Sequence, residues 1–248
     1  MNVGVYGLGR FGSFWAAELA KHMPVKGYNR SKIEQAPLGV ELVSEEELLK
    51  CDAIILCVAI SSFKDVIANI SSRISSHALV MDTCSVKVYP ARIMQDLLQK
   101  DVEIIATHPM FGPDSGKNGI TELPLVFSPI RCSKIHQEHW KNVFMSMKLH
   151  VLEMSCDQHD KEAAYSQGVT HFIGRVLDEL QLRPTQLATV GYTQLMSIVE
   201  QTCNDPIQLF YDLQRYNPYT HDMHGNLNRA LETVLHVLDT YEKNPMEF

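Results

Sequence analysis

The stretch GLGRFG at 7–12 constrains this chain more than any other. It closes an apolar run, NVGVYG (2–7), and opens a helical pattern from Phe11 to His22. In that strand–turn–helix position the spacing G-x-G-x-x-G serves three purposes. The first glycine permits a tight turn, the second lets backbone approach a pyrophosphate, and the third allows close packing of helix on strand. The helix N-terminus then offers amide donors and a partial positive charge to phosphates. Gly7, Gly9 and Gly12, with Arg10 and Phe11 between them, are therefore candidate cofactor-binding residues. VKGYN (25–29) reads as the second strand and ends in Asn29, Arg30 and Ser31. A site for NAD places a carboxylate there, accepting from the ribose 2′-hydroxyl. A guanidinium and a hydroxyl suit a 2′-phosphate instead, so these three residues point to NADP.

The strand–helix alternation continues. DAIILCV (52–58) reads as a third strand, apolar throughout as expected of a parallel strand covered on both faces. Helices near 62–73 and 88–99 flank ALVMD (78–82), and VEIIAT (102–107) follows. LPLVFSP (123–129) and LHVLEM (149–154) are strand-like, around a helix at 134–147. This pattern predicts an α/β, Rossmann-type doubly wound parallel sheet over 1–155. From Asp157 onward no strand pattern remains. Residues 160–182 read as one long helix, with further helices at about 186–201, 206–216 and 222–243. The all-α region 156–248 is apolar on more than one face, as helices are when the extra face is buried on a partner chain. A homodimer formed through this region is the expectation.

Bulk properties exclude several classes. A net charge of -7 and no basic cluster argue against nucleic-acid binding. The longest apolar runs, such as AIILCVAI (53–60), are too short to cross a bilayer. The N-terminus lacks the positive region and cleavage site of a signal peptide. Six cysteines without CxxC or CxxH spacing indicate neither a zinc site nor a disulfide framework. Reduced thiols and a cytoplasmic location are expected.

Ligands of doubly wound folds bind beyond the carboxyl ends of the strands. Two loops expected there carry polar chemistry, MDTCSVK (81–87) and THPMFGP (107–113). They set Ser85 and His108 across one crevice. As isolated residues, Ser85 equally fits an N-cap of the following helix, and His108 a ring satisfied by neighbouring backbone. DTCSVK, THPMFGPDSGKNG, MSCDQHDKEAAYSQGVTHFIGRVL and GYTQLMSIVEQT together resemble the TyrA family, the prephenate and arogenate dehydrogenases, over essentially the whole chain. The resemblance is greatest to the plant-type arogenate branch. It implies oxidative decarboxylation of a small molecule: hydride leaves the ring carbon bearing the 4-hydroxyl, and carbon dioxide is lost as the ring aromatises. It makes His108 the acceptor of the hydroxyl proton, a task suited to a neutral imidazole of unperturbed pKa ~6.5. Ser85 is implied to hydrogen-bond that hydroxyl and the histidine. No metal is required.

Substrate choice rests on the same resemblance. Prephenate-using bacterial members hold the side-chain carboxylate with an arginine whose position falls here at Glu200 or Gln201, so the arginine is absent. Plant-type arogenate enzymes carry an acidic residue after a VENT-like stretch, which VEQTCND (199–205) supplies as Asp205. A carboxylate pairs with the ammonium of arogenate and repels the keto acid of prephenate. As a pattern alone, Asp205 before Pro206 fits a helix N-cap. Gln167 and His171, four apart on one helix face, and Thr189 are the other implied substrate contacts. His159 reads as a residue at the start of the helix joining the two regions. Asp114, Ser115 and Lys117 carry no assigned role. The alternatives are a prephenate or dual-specificity enzyme and, in a different class, a catalytically silent NADP-binding sensor.

Overall fold

Glycine and β-branched content decide where the sheet begins and how its neighbours approach. In a computed structural model that describes residues 1–243, the chain starts with β1 (Val3–Tyr6), α1 (Arg10–Ala20) and β2 (Val25–Tyr28). A short β3 (Val40–Leu42) and one-turn α2 (Glu45–Leu48) follow. Then come β4 (Ala53–Leu56), α3 (Ile60–Ile70), β5 (Leu79–Asp82), α4 (Val88–Leu97) and β6 (Glu103–Pro109). The sheet is completed by β7 (Pro124–Arg131), α5 (Lys134–Ser146) and β8 (His150–Glu153). Every later element among the described residues is helical: α6 (Cys156–Ala163), α7 (Val169–Glu179), α8 (Val190–Asn204), α9 (Ile207–Tyr216) and α10 (Thr220–Lys243).

The eight strands form one sheet in the order β3-β2-β1-β4-β5-β6-β7-β8. Strand order reverses direction between β1 and β4, which opens the crevice at the carboxyl ends where such folds bind ligands. Two expectations need correction. The strand at 52–58 is the fourth rather than the third, because the three-residue β3 precedes it at the sheet edge. The sheet is also not wholly parallel. β6 and β7 pair antiparallel, and β8 runs parallel to β7. The connection 110–123 is helix-free and lets the chain double back, whereas a parallel strand needs a crossover.

Two apolar layers sandwich the sheet. On one face Trp15 and Leu19 of α1 pack with Trp140 and Phe144 of α5 against Val3, Val5 and Phe127. On the other, Phe63 and Ile67 of α3 and Met94 of α4 cover Ile54, Leu56 and Val80. Burying a side chain of this size contributes about 1.5–3 kcal/mol. Leu213 of α9 joins the second layer, so the helical half is packed onto the sheet half. A buried carboxylate reinforces the joint. Asp212 accepts from the backbone N–H and the hydroxyl of Ser61, both at 3.0 Å, at the start of α3.

The expected single helix at 160–182 is interrupted. α6 ends at Ala163, a π-helical turn spans Ala164–Gly168, and α7 continues from Val169. Such turns advance the helix by an extra residue and re-aim the side chains beyond them. α7 then packs tightly on α8, since a Cβ added at Gly174 would lie 2.1 Å from Thr202 Oγ1.

Candidate active site

The glycine turn has the geometry that dinucleotide binding demands. Gly7 sits at φ +98°, a region that disfavours side chains, and an added Cβ would lie 2.5 Å from the Cys57 carbonyl oxygen. At Gly12 an added Cβ would lie 1.8 Å from the Gly7 carbonyl oxygen, so helix and turn could not close up around any side chain. Gly9 faces open space with nothing within 4 Å. Packing requires the outer two glycines, while the middle one leaves backbone bare at the helix N-terminus. No side chain caps α1 there. These features fit a bound pyrophosphate.

Beside the turn, Asn29 Oδ1 accepts from the Leu8 N–H at 2.9 Å, and Asn29 Nδ2 donates to the Ser31 carbonyl at 2.9 Å. Asn29 therefore ties β2 to the turn. Arg30 and Ser31 stand exposed at the end of β2, and Arg30 makes no ion pair among the described residues. Phe11 packs its ring on Trp15 at 6.3 Å between centroids, which makes it part of the core as well as of the turn.

His108 lies inside β6 and not in the loop beyond it, a further correction. β5 stops at Asp82, opposite Ala106, whereas pairing with β7 carries β6 on through Thr107, His108 and Pro109. The antiparallel neighbour thus extends the strand past the carboxyl edge of β5, and His108 rides on that extension. Its ring is 3% exposed. Nδ1 lies 2.9 Å from Nε2 of His159, and Nδ1 of His159 lies 2.8 Å from Oδ1 of Asp160. The sequence reading gave His159 only a place at a helix start. The helix start is where it sits, but the ring reaches the catalytic candidate across 51 residues of chain. Burial pushes the His108 imidazole well below its ordinary range, and His159 and the Lys87 ammonium push the same way.

Under His108 lies a second missed feature. Lys87 and Asp82 are both 0% exposed and ion-paired, and Lys87 Nζ also donates to the Thr107 carbonyl. Burial raises the Asp82 carboxyl and the adjacent ammonium opposes it. The pair clamps the ends of β5 and β6 together at the residue preceding His108. Ser85 sits between them in sequence but forms no hydrogen bond with His108, and it does not cap α4, whose N-cap residue is Lys87.

The remaining candidates cluster on the helical side. Gln167 Oε1 and His171 Nδ1 are buried without a hydrogen-bond partner, and so is Nε of Arg175, one further turn along. Buried polar atoms of this kind are ordinarily completed by a water, an ion or a ligand. Arg175 NH2 donates to the Thr202 and Asp205 carbonyls at 3.2 and 3.4 Å, holding the end of α8. An arginine thus stands on α7 beside these side chains, although positions 200 and 201 carry none. Asp205 does not cap α9, whose first residue follows Pro206 with no side-chain cap. Its Oδ1 instead accepts from Arg10 NH1 at 3.1 Å. Burial raises the Asp205 carboxyl, with His171 and Arg10 opposing. Burial lowers the His171 imidazole, with Asp205 opposing. Arg10 NH2 reaches Asp114 at 2.6 Å, and the Ser115 hydroxyl accepts from the Gly112 N–H at 2.9 Å. Asp114 thereby ties the 110–119 loop to the glycine turn, while Ser115 closes a turn within that loop. Thr189 is exposed and caps α8, accepting from the Tyr192 N–H at 3.2 Å, away from this cluster of contacts.

Comparison with known proteins gives this arrangement a lineage. The family model "Prephenate dehydrogenase, nucleotide-binding domain" matches residues 20–124, and "TYRAAT1-like, C-terminal domain" matches 176–247. Arogenate dehydrogenase 1, chloroplastic, of Arabidopsis thaliana is 35% identical over 246 residues, covering 94% of this chain and 38% of that protein. Arogenate dehydrogenase 2, chloroplastic, of the same plant is 33% identical over 247 residues, covering 94% of this chain and 69% of that protein. The chain thus spans little more than a third of the first relative and about two thirds of the second. Prephenate dehydrogenase from A. aeolicus, solved in complex with hydroxyphenyl propionate and NAD+, superposes with a TM-score of 0.75 at 18% identity, covering 98% of this chain and 92% of that one. Synechocystis arogenate dehydrogenase gives a TM-score of 0.72 at 18% identity, covering 98% and 93%. A Rossmann-like nucleotide-binding domain followed by a helical region is the fold they share with it. On its match to the plant enzymes along nearly its whole length, this chain belongs to the prephenate and arogenate dehydrogenase family.

Proposed function

We propose that the protein catalyses NADP-dependent oxidative decarboxylation of arogenate to tyrosine. One observation carries the reading: Arg10 of the glycine turn pairs at once with Asp114 of the HPMFGP loop and Asp205 of the helical half. Three motifs distant in sequence therefore meet at one guanidinium.

A bound nicotinamide supplies the hydride acceptor. The protein's own work is to position the substrate and to take a proton. The ring nitrogen of His108 that faces away from His159 accepts the 4-hydroxyl proton as the hydride departs, and burial keeps that imidazole neutral and able to accept. Ser85 approaches the same hydroxyl from the β5 side. The side chain of the substrate lies toward α7 and α8, where Gln167 and His171 offer unpaired polar atoms. There Asp205 accepts from the substrate ammonium, and the same carboxylate disfavours a keto acid. Arg30 and Ser31, with Asn29 fixing the strand end, hold the 2′-phosphate, which makes NADP the preferred cofactor.

The helical half completes the reading. Leu231, Val234, Leu235, Leu238 and Tyr241 run along α10 at helical spacing, each more than half exposed. A second copy of the chain covers this stripe in a homodimer. Six free cysteines, two of them buried, suit a reducing compartment such as the cytoplasm.

The test is reduction of NADP with arogenate and with prephenate, by the wild type and by Asp205→Asn. Losing one charge-assisted hydrogen bond costs about 1.5–3 kcal/mol, so kcat/KM for arogenate falls roughly ten- to hundredfold while prephenate loses less. Unchanged arogenate turnover in Asp205→Asn rejects that residue as the selector, and a wild-type preference for prephenate rejects the substrate.

A further inference from the structure

We propose that His159 and Asp160 form, with His108, a buried proton relay that fixes which nitrogen of His108 acts and carries positive charge away from the reacting hydroxyl. This rests on the reading of His108 as proton acceptor and adds two residues that neither touch substrate nor appear in that reading. They are positioning residues.

The assignment begins at the inner end. Asp160 is fully buried. Its Oδ1 accepts from the Lys87 N–H at 2.6 Å and its Oδ2 from the Val88 N–H at 2.9 Å, at the opening of α4. Both oxygens thus accept from backbone N–H groups, and a carboxylate can only accept. Its 2.8 Å contact with His159 therefore requires the proton on His159 Nδ1. That leaves a lone pair on His159 Nε2, which accepts from His108 Nδ1–H across 2.9 Å. His108 Nε2 is then the nitrogen left with a lone pair. Among the described residues it makes no hydrogen bond, and it is not sealed from the surface, so it is the ring's open nitrogen. One chain of hydrogen bonds sets both tautomers.

The same chain disposes of the proton. The O–H bond of the substrate would break as hydride leaves its carbon, for which a bound oxidised nicotinamide would supply the acceptor, and an N–H bond would form at His108 Nε2. The Nδ1–H bond of His108 then breaks and an N–H bond forms at His159 Nε2. One proton enters His108 and one leaves it. The imidazolium ends on His159, beside the Asp160 carboxylate, and His108 returns to neutrality. Charge left on His108 would instead face the Lys87 ammonium in a dry site, with Asp82 committed to that same lysine. Of the ionisable groups nearby, His159 of α6 and Lys87 at the cap of α4 act on His108, and Asp160 and Asp82 are paired with those two.

Two measurements test this. In 15N NMR of the histidine side chains, taken on the wild-type protein without substrate or cofactor, both His108 and His159 should be protonated at Nδ1 when neutral. Finding His108 protonated at Nε2 overturns the relay, whatever the enzyme's activity. In kinetics, His159→Gln keeps an acceptor for the His108 N–H and removes the second proton site. It should lower kcat about a hundredfold, the scale of general acid–base effects, with KM and the NADP dissociation constant unchanged within about twofold. In mixtures of light and heavy water, the rate should change from a curved, two-proton dependence to a linear one. A His159→Gln enzyme with wild-type kcat and a curved dependence refutes the proposal. Failure of the wild type on both substrates would instead overturn the functional reading and leave the NMR result to decide the relay.

Discussion

Replacing Lys87 by methionine probes the frame that holds His108. Methionine matches the length of the lysine stem but offers no donor. The substitution strips Asp82 of its ammonium partner and the Thr107 carbonyl of its donor, in surroundings where both side chains are fully buried. Asp82 Oδ1 is already without a partner, so only the Cys84 N–H, at 2.9 Å from Oδ2, remains to the carboxylate. Breaking a buried pair from one side costs about 3–5 kcal/mol. At roughly 2–4 °C per kcal/mol for chains of this size, Lys87→Met should melt about 6–20 °C below wild type. The loss should depend on pH. Burial raises the Asp82 carboxyl in the folded protein, and removing the ammonium raises it further. A carboxyl raised in this way stabilises the fold below its unfolded value, ~3.9, and loses that contribution as pH climbs through the folded value. The deficit of Lys87→Met should therefore shrink as the solution is taken from mildly alkaline to mildly acidic. Adding Asp82→Asn should recover most of it at alkaline pH. Thermal unfolding by circular dichroism across that pH range, for both single variants and the double, makes the measurement. A deficit below about 1 kcal/mol, or one that does not change with pH, would refute the reasoning.

Two further outcomes follow from the surface groups. Arg30→Asp replaces the proposed 2′-phosphate partner with a repelling carboxylate, so kcat/KM for NADP should fall at least about tenfold while NAD is tolerated or improved, as read by initial rates with each cofactor. Leu235→Glu places a charge in the exposed stripe of α10. Light scattering should find wild type at twice the 28.1 kDa chain mass and the variant at the single mass, and a monomeric wild type would contradict the second-copy assignment.

Much of the frame was legible from local chemistry. The glycine turn announced itself because two of its glycines are required by packing and backbone geometry and the third by an open approach. The apolar runs of β4, β5 and β6 and the wholly helical second half were equally plain. What escaped was whatever depends on partners far along the chain. β3 is three residues long with two of them exposed, so no periodicity marks it. The antiparallel turn of β7 is a matter of how the chain returns, which strand-like composition does not encode. Nothing in local sequence marks Lys87 or Arg175, because only the fold buries Lys87 against Asp82 and brings the end of α8 onto Arg175. His159 was the largest miss. Its neighbour Asp160 was in view, but the ring that completes the chain of hydrogen bonds lies on β6.

The central claim is that a histidine at the overhanging end of β6 accepts the proton in an arogenate dehydrogenase. The direct test follows reduced nicotinamide absorbance with arogenate and NADP, in wild type and His108→Asn, with NADP binding to each measured by calorimetry. Wild type should turn over arogenate, and His108→Asn should lose at least about a hundredfold in kcat while binding NADP as tightly as wild type. Comparable kcat in the two proteins would contradict the account.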